Sequence, residues 1–247
     1  MSISNITLNS VASFISDCAN KTIDLNIEQK FHMSHPRFQA LSRMSGPILD
    51  LGAGDGGMGQ LIAWPQKQIG KSLVGCDLEE ISTLPKGYSD WISGGWENIP
   101  PELKFGGVLA IHVIEHLDCW TLMLQDALKR LQNGGYFYVE WPSSETTNWP
   151  TAGDVWDALI KMNPGFTTQL LSTFNFFDDD SHTDNPPSME DVLNELSSLE
   201  IIEHGTLLIP DYAINLVSKG LTDQSKPNVT MGIWAQFGFA QFILAKK

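Results

Sequence analysis

Short apolar runs alternate with helix-like segments between residues 46 and 142, and this alternation constrains the fold more than any other feature of the sequence. Four runs carry it, with the sequences "PILDLG", "SLVGCD", "GGVLAI" and "YFYVEWP". A strand of a parallel sheet is buried on both faces and is therefore continuously apolar. Parallel neighbours also need a crossover connection, which is usually a helix. The sequence therefore predicts an α/β fold with a doubly wound, mostly parallel sheet and helices on both faces.

Three segments have the pattern of helices. "MGQLIAW" begins a helix that Pro65 limits, and "CWTLMLQDALKRLQNGG" is amphipathic and has a natural stop at Asn133 and Gly134. Ser188 and Asp191 resemble a capping box at the start of a third helix. Two late strands are predicted in "LEIIEHGTLLI" and "FAQFILAKK", as a hairpin with an antiparallel C-terminal strand.

Residues 141–187 break the alternation. The segment is rich in tryptophan, phenylalanine and proline, and it is too long for an ordinary connection. We expect it to form a lid inserted over the carboxyl ends of the strands, with most of its aromatic side chains in its own core. The complete prediction is a Rossmann-like sheet of seven strands, divided into an N-terminal helical cap at 1–45, a ligand-binding core at 46–140, the lid at 141–187 and the C-terminal part of the core at 188–247.

Charge and cysteine content narrow the classes of partner. The chain has 15 basic and 29 acidic residues, for a formal charge of -14, and it has no basic run. That field repels nucleic acids, so no nucleic-acid partner is predicted. No apolar run reaches the roughly 18 residues of a membrane span. Three cysteines without metal or disulfide spacing favour reduced thiols, and hence a cytoplasmic protein. The aromatic-rich segment at 141–187 is consistent with a pocket for a small-molecule partner, and the oligomeric state stays open.

The loop after the first apolar run is rich in glycine and is framed by two carboxylates. Gly52, Gly54 and Gly57 fit the dinucleotide fingerprint G-x-G-x-x-G, but Asp50 also begins the pattern D-x-G-x-G. A dinucleotide would place its pyrophosphate at the helix N-terminus, where Asp50 and Asp55 would repel it. The loop therefore favours a ligand with positive charge and no phosphate, such as S-adenosylmethionine.

A second acidic position lies at the end of the second apolar run. Asp77 follows Gly52 by 25 residues and could accept both hydroxyls of a ribose. This role suits NAD and S-adenosylmethionine equally, so it indicates a nucleoside without choosing between them. The alternative is that Asp77, Glu79 and Glu80 form a solvated strand end.

Four segments in this order resemble the class I S-adenosylmethionine-dependent methyltransferases, and in particular the small-molecule branch that includes the ubiquinone-biosynthesis O-methyltransferases. "LDLGAGDGG" matches the family's first motif, and "GCDLEE" matches its acidic second-strand motif. "HVIEHL" matches the segment after the fourth strand, and "LQNGGYFYVEWP" matches the fifth-strand motif. The resemblance covers residues 35–143 and continues more loosely to about 203.

The resemblance implies a place for each part of the cofactor S-adenosylmethionine. The methionine part lies near the glycine loop and the end of the family's fourth strand, which is "GGVLAI" in this sequence. The ribose lies on an acidic side chain, and the adenine lies against an apolar one. The residues implied are Asp50 for the ammonium, Gly52, Ala53, Gly54, Ile111 and His112 for the methionine part, Asp77 for the ribose, Leu78 for the adenine, and Arg37 with His35 for the carboxylate.

The segment "SGGWENIP" departs from the family's pattern. The family often has an acidic residue here that contacts the adenine amino group, whereas this sequence has Gly95. Glu97 could supply that carboxylate, or Trp96 could stack on the adenine instead.

Histidines are the candidate general bases. Methyl transfer is an in-line displacement in which the enzyme mainly aligns the reacting groups, but a hydroxyl nucleophile benefits from a base, and histidine suits that role near neutral pH. His116, which follows Glu115, and His182, in the predicted lid, are the candidate catalytic residues, with His112 as a third. The alternatives are a structural contact for His116 and a solvated loop position for His182.

The function predicted is S-adenosylmethionine-dependent methyl transfer to O or N of a small molecule. One alternative is a non-catalytic regulatory or assembly subunit that binds the same cofactor. Another is an NAD-dependent oxidoreductase, which Asp50 and Asp55 oppose. The acidic residues at 178–184 could bind a divalent cation, but acidic runs in loops are usually solvated, so no metal is predicted.

Overall fold

The chain is seen in a computed structural model that describes residues 6–22, 35–58, 71–166 and 168–247. These residues divide into two compact units. The first, which we call the sheet unit, comprises 36–141, 187–205 and 242–247. The second, which we call the helical unit, comprises the described part of 1–35 together with 142–186 and 206–241.

Seven strands form one sheet. They are β1 Ile48–Leu51, β2 Leu73–Asp77, β3 Tyr88–Ser93, β4 Phe105–Ile111, β5 Leu131–Pro142, β6 Glu200–Thr206 and β7 Ala240–Lys246. The order across the sheet is β3-β2-β1-β4-β5-β7-β6, and the four pairs from β3 to β5 are parallel. The antiparallel side begins at β7, and Lys247, directly after this strand, exchanges main-chain hydrogen bonds with Gly134 and Gly135 of β5. The predicted doubly wound, mostly parallel sheet is confirmed.

Helices occur in both units. The described helices are α1 Leu8–Cys18, α2 Pro36–Arg43, α3 Trp120–Arg130, α4 Ala152–Met162, α5 Met189–Glu195, α6 Pro210–Asp223 and α7 Lys226–Phe237. As predicted, Ser188 caps α5, because its Oγ accepts the Asp191 N–H at 3.1 Å. None of the helices among these residues is long and apolar enough to cross a membrane.

The core of the sheet unit is built on the apolar strands predicted from the sequence. β1 is buried along its whole length, and α3 covers the sheet with Met123, Leu124 and Ala127. The predicted stop of α3 at Asn133 and Gly134 is wrong, since the helix ends at Arg130 and both residues belong to β5. The Gly134 N–H donates to the carbonyl of Lys247, so pairing with β7 extends the strand into that turn-like dipeptide.

The edges of the sheet differ from the prediction. β3 was not predicted, because its segment is mostly half-buried or exposed and lacks an apolar run. β6 and β7 are neighbours in the sheet, but the predicted hairpin between them is wrong, since α6 and α7 separate them along the chain. The sequence does contain start and stop residues for these two helices. Pro210 begins α6, Ser225 caps the start of α7, and Gly238, with a φ of 73°, ends α7.

The helical unit has a core of its own. Most of the aromatic residues predicted to fill the lid core are buried there, among them Trp149, Trp156 and Phe174, whereas Phe177 is 56% exposed. Two small residues let α6 and α7 approach closely, because a β-carbon at Gly220 or Gly232 would lie within 3 Å of a valine side chain on the other helix.

The two units cut across the predicted domains. Residues 206–241 pack in the helical unit, although the sequence analysis assigned them to the core. Trp141, the first residue of the predicted lid, packs in the core of the sheet unit and donates its indole N–H to the carbonyl of Pro187 at 2.8 Å. The position of residues 141–187 over the strand ends stays a prediction. The predicted helix in "MGQLIAW" lies mostly within 59–70, outside the described residues.

We expect Gly106→Ala to destabilise the protein strongly. A β-carbon at this position in β4 would lie 1.7 Å from the main-chain oxygen of Ser45, which cannot move aside as a side chain could. Overpacking of this kind costs about 3 kcal/mol, and for a chain of this size that lowers the melting temperature by about 6–12 °C.

The matched control is Gly165→Ala, because nothing lies within 4 Å of a β-carbon at that position. Thermal unfolding followed by circular dichroism measures both variants. Equal melting temperatures for the two would contradict the close approach of β4 to the Ser45 carbonyl.

Candidate functional site

The candidate site lies in the sheet unit at the carboxyl ends of β1, β2, β4 and β5. The parallel register brings these ends to one edge, because Leu51 pairs with both Cys76 and Ala110, and Ile111 pairs with Glu140. The strand order reverses between β1 and β4, and such a switch point opens a crevice in which α/β proteins bind their ligands.

The glycine loop crosses this edge in a conformation that needs glycine. Gly52 has a φ of 63°, and a β-carbon there would lie 2.3 Å from a methyl group of Val113. The N–H groups of Gly52 and Ala53 both donate to the carbonyl of Cys76, at 2.9 and 3.3 Å. The loop is therefore fixed between the ends of β2 and β4 and presents bare main chain to the crevice.

Asp77 is tied to the glycine loop. One carboxylate oxygen accepts the Gly54 N–H at 2.8 Å, and the other accepts the Glu79 N–H at 3.0 Å. A carboxylate has about four acceptor sites, so both oxygens can still bind hydroxyl groups. Leu78 follows with 79% of its surface exposed. The pair thus offers an anchored carboxylate beside an apolar face.

Asp50 lies in a different environment from Asp77, although both occupy the same edge. It is 2% exposed, and the hydroxyl of Tyr88 donates to its carboxylate. Burial raises the pKa of Asp50 to about 7, against the smaller opposing effects of the Tyr88 hydrogen bond and the Arg37 charge. Tyr88 lies on the strand that the sequence analysis missed, so this contact was not predicted.

In the turn after β3, the side chain of Glu97 lies beside Gly95. A β-carbon at Gly95 would lie 2.4 Å from a carboxylate oxygen of Glu97, so that carboxylate occupies the space of the missing side chain. Trp96 packs in part against the apolar core of the sheet unit. An acidic group therefore lies next to Gly95, and its contact with an adenine stays a prediction.

Glu140 gathers several polar side chains at the end of β5. Its carboxylate accepts both Nε and Nη2 of Arg37, and it accepts the hydroxyl of Tyr138 at 2.7 Å. Burial alone would raise the pKa of Glu140, but the guanidinium and its neighbours hold it well below the usual range. The resemblance predicts that Arg37 binds the cofactor carboxylate. In the structure, the N–H groups on its Nε and Nη2 donate to Glu140. Sequence reasoning missed Glu140, whose signal is a lone acid inside the apolar run "YFYVEWP".

His112 lies between two buried carboxylates. Its Nδ1 is 3.0 Å from Glu115, and its Nε2 is 3.3 Å from Glu140. Burial lowers the pKa of His112, but the hydrogen bonds and charges of the two carboxylates outweigh it and raise the pKa to about 9. The imidazole therefore favours the protonated form, with Nδ1 donating to Glu115 and Nε2 within ion-pair distance of Glu140. A ring held between two carboxylates in this way is a poor candidate for the general base.

The two histidines predicted as catalytic bases, His116 and His182, belong to different units. His116 ends a short 3₁₀ turn after β4 in the sheet unit, where its N–H donates to the carbonyl of Val113 at 3.1 Å. His182 lies in the helical unit, stacked on Phe176 at 4.4 Å between ring centroids, and its side chain is only 6% exposed. The expected solvated position of His182 is thus wrong, because the ring packs and its Nδ1 contacts the Phe176 carbonyl at 2.6 Å.

The acidic segment around His182 has a structural role. The Asp178 carboxylate accepts three main-chain N–H groups, from Ala152, Phe174 and Asn175, at 2.7 to 3.2 Å. Asp179 accepts the N–H of Ser181. These bonds explain Asp178 and Asp179 as caps of local turns.

The comparisons with known proteins agree with this geometry. A family model described as "Methyltransferase domain" matches residues 27–179, which is more than half of the chain. The chain belongs to this methyltransferase family, and the predicted resemblance to class I S-adenosylmethionine-dependent methyltransferases is confirmed.

One curated relative is the mitochondrial ubiquinone biosynthesis O-methyltransferase of Candida albicans. It is 24% identical over 150 residues, which cover 56% of this chain and 45% of the relative. The chain therefore matches less than half the length of that relative.

Two solved structures show the same fold. A SAM-dependent methyltransferase from Archaeoglobus fulgidus has a TM-score of 0.52 and 17% identity, covering 90% of this chain and 93% of its own. The mycolic acid cyclopropane synthase CmaA1, solved with SAH and CTAB, has a TM-score of 0.54 and 13% identity, covering 97% of this chain and 94% of its own.

We expect Asp50→Asn to stabilise the protein at neutral and higher pH. An unfolded chain loses the Asp50 proton near pH 3.9, whereas the folded chain keeps it until about pH 7. The wild type therefore loses stability as the pH rises from about 4 to about 7. The variant does not, because its amide oxygen cannot be ionised and can still accept the hydrogen bond from the Tyr88 hydroxyl. The difference in melting temperature should grow between about pH 4 and pH 7 and then stay constant.

Asp118→Asn is the control, because it makes the same chemical change at an exposed position. Melting temperatures across this pH range measure the effect. A difference between Asp50→Asn and the wild type that does not change with pH would show that Asp50 titrates normally in the folded state.

Proposed function

We propose that the chain is an S-adenosylmethionine-dependent methyltransferase that methylates O or N of a small molecule. The observation that carries the choice of cofactor is the contact between Asp55 and Gly57. The Asp55 carboxylate accepts the Gly57 N–H at 3.0 Å, at the point where a dinucleotide would place its pyrophosphate. A carboxylate already occupies that donor and repels phosphate, so the loop suits a cationic nucleoside and disfavours NAD.

Each part of the cofactor has a chemically matched partner at the site. Asp77 would hold the ribose hydroxyls, Leu78 would cover the adenine, and Glu97 would accept from its amino group. Asp50 would face the ammonium, and Ile111 would border the methionine end. The main chain of Gly52, Ala53 and Gly54 would lie along the methionine part, and Arg37 would direct its remaining N–H groups to the carboxylate.

The residues around the site bind and align more than they react. Bound S-adenosylmethionine supplies an electrophilic methyl group on a sulfonium. The chain must hold an acceptor in line with the methyl–sulfur bond and accept the proton that a hydroxyl acceptor releases. His116 is the proposed base, since it lies in the sheet unit and His112 is already protonated. The relative's name favours an oxygen acceptor, and the net charge of -14 favours a small molecule over a nucleic acid.

We expect S-adenosylhomocysteine to bind and Asp77→Ala to weaken that binding by at least tenfold. The substitution removes the hydrogen bonds of a charged acceptor to the ribose, each worth about 1.5–3 kcal/mol, as well as the anchor of Gly54. Calorimetric titration measures both proteins, with Asp118→Asn as the control. NADH titrated in the same way should not bind. Absence of S-adenosylhomocysteine binding to the folded wild type, or tighter binding of NADH, would overturn the proposed function.

We expect Glu97 to make binding depend on the adenine amino group. The wild type should prefer S-adenosylhomocysteine over the 6-oxo analogue S-inosylhomocysteine by roughly tenfold, because the amino group at position 6 donates to a carboxylate whereas an oxo group there only accepts. Glu97→Gln should reduce that preference, while Glu102→Gln, at an exposed position, should keep it. The ratio of the two dissociation constants is the measurement, and an unchanged ratio in Glu97→Gln would remove Glu97 from the site.

A further inference from the structure

His112 has a main-chain conformation that its residue type rarely adopts. Among the described residues, two that are not glycine have a positive φ, His112 at 55° and Gln224 at 53°. Gln224 ends α6, where a left-handed residue is ordinary. His112 directly follows β4 at the crevice. A non-glycine residue held in this region is strained, so the surrounding structure must impose the conformation.

Two carboxyl-bearing residues hold His112 in place. The main-chain N–H of His112 donates to the carbonyl of Glu140 at 2.8 Å, which fixes the backbone to β5. The ring meets Glu115 at 3.0 Å and Glu140 at 3.3 Å, and those side chains are 0% and 2% exposed. A ring with N–H groups on opposite sides fits between two such acceptors, as a protonated imidazole does.

The charges of this cluster balance only when the imidazole is protonated. Glu115 and Glu140 contribute two negative charges, and Arg37 contributes one positive charge, with the hydroxyl of Tyr138 as a neutral donor. The imidazolium of His112 supplies the second positive charge. A buried carboxylate that loses its partner is strongly destabilised, so the cluster favours the cation.

The strained conformation places the next residue against the glycine loop. Val113 follows His112, and its methyl group occupies the space beside Gly52 in which a side chain would otherwise lie. The position of Val113 therefore depends on the turn at His112, and the path of the loop depends on Val113. The charge on the His112 ring is therefore linked to the conformation of the glycine loop.

We propose that His112 is a positioning residue: held as a cation between Glu115 and Glu140, it keeps the exit of β4 in a left-handed turn that seats Val113 against Gly52. It acts on the cofactor site through the backbone and neither accepts nor relays a proton. This role rests on the proposed function, because the site that it shapes is the proposed cofactor site.

The test combines a titration with a binding measurement. NMR titration of the His112 ring in the wild type should give a pKa near 9, and S-adenosylhomocysteine should bind more weakly as the pH rises through that value. His112→Asn tolerates a left-handed backbone but cannot bridge the carboxylates as a cation. It should bind at least tenfold more weakly at pH near 7.5, and it should lose the weakening near pH 9. His204→Asn, at an exposed position of β6, is the matched control and should behave as the wild type.

Two results would overturn the inference. One is a His112 pKa near 6.5, and the other is binding by His112→Asn within about twofold of the wild type. If that variant does not fold, Glu115→Gln decides, because it should lower the His112 pKa and move the loss of binding to lower pH; an unchanged pKa counts against the inference. Failure of the wild type to bind S-adenosylhomocysteine at any pH would overturn the proposed function instead, while the ring titration would still test the cation.

Discussion

The buried carboxylate of Glu140 is the contact on which the polar edge of the sheet depends. It takes the guanidinium of Arg37 from α2, the hydroxyl of Tyr138 from its own strand, and the ring of His112 from the exit of β4. A carboxylate without such partners could not stay ionised at 2% exposure. Because three elements converge on one group, the ends of β4 and β5 are fixed together with the helix in front of β1.

Two aspartates at this edge show how position alone separates chemical roles. Asp77 is held by main-chain N–H groups and keeps acceptor sites for hydroxyls, which suits a neutral sugar. Asp50 is buried with one hydroxyl partner, so its pKa is raised to about 7. An ammonium beside Asp50 would favour the ionised carboxylate, so binding of a cationic ligand and release of a proton would be coupled there. In the proposed function, the same residue type would thus bind a neutral group in one place and a cation in the other.

The parts of the site that the sequence predicts are those encoded within a few residues. The glycine loop and Asp77 follow from local patterns, and the bond from Gly54 to Asp77 joins the two as expected of adjacent parallel strands. The contacts that set the charge of the site join distant positions: Arg37 lies 103 residues from Glu140, and Tyr88 lies 38 residues from Asp50. Neither pair has a local pattern, since each requires the register of the finished sheet. The sheet could be predicted because buried strands carry a local apolar signal. These long-range contacts carry no such signal, so they could not be predicted.

The cluster also limits the chemistry that the site can perform. His112 directly follows β4, at the edge of the sheet where a base would be needed. Its two nitrogens face carboxylates, which raise the pKa of the ring to about 9 and favour the protonated form at neutral pH. Any proton released by an acceptor must therefore pass to another group, such as His116, or to solvent. A site of this kind favours acceptors whose hydroxyl or amine is already acidic or nucleophilic, because alignment then supplies most of the rate. The positive charge on His112, which positions the glycine loop, thus disfavours this histidine as a base. It also narrows the class of acceptor that the site can methylate.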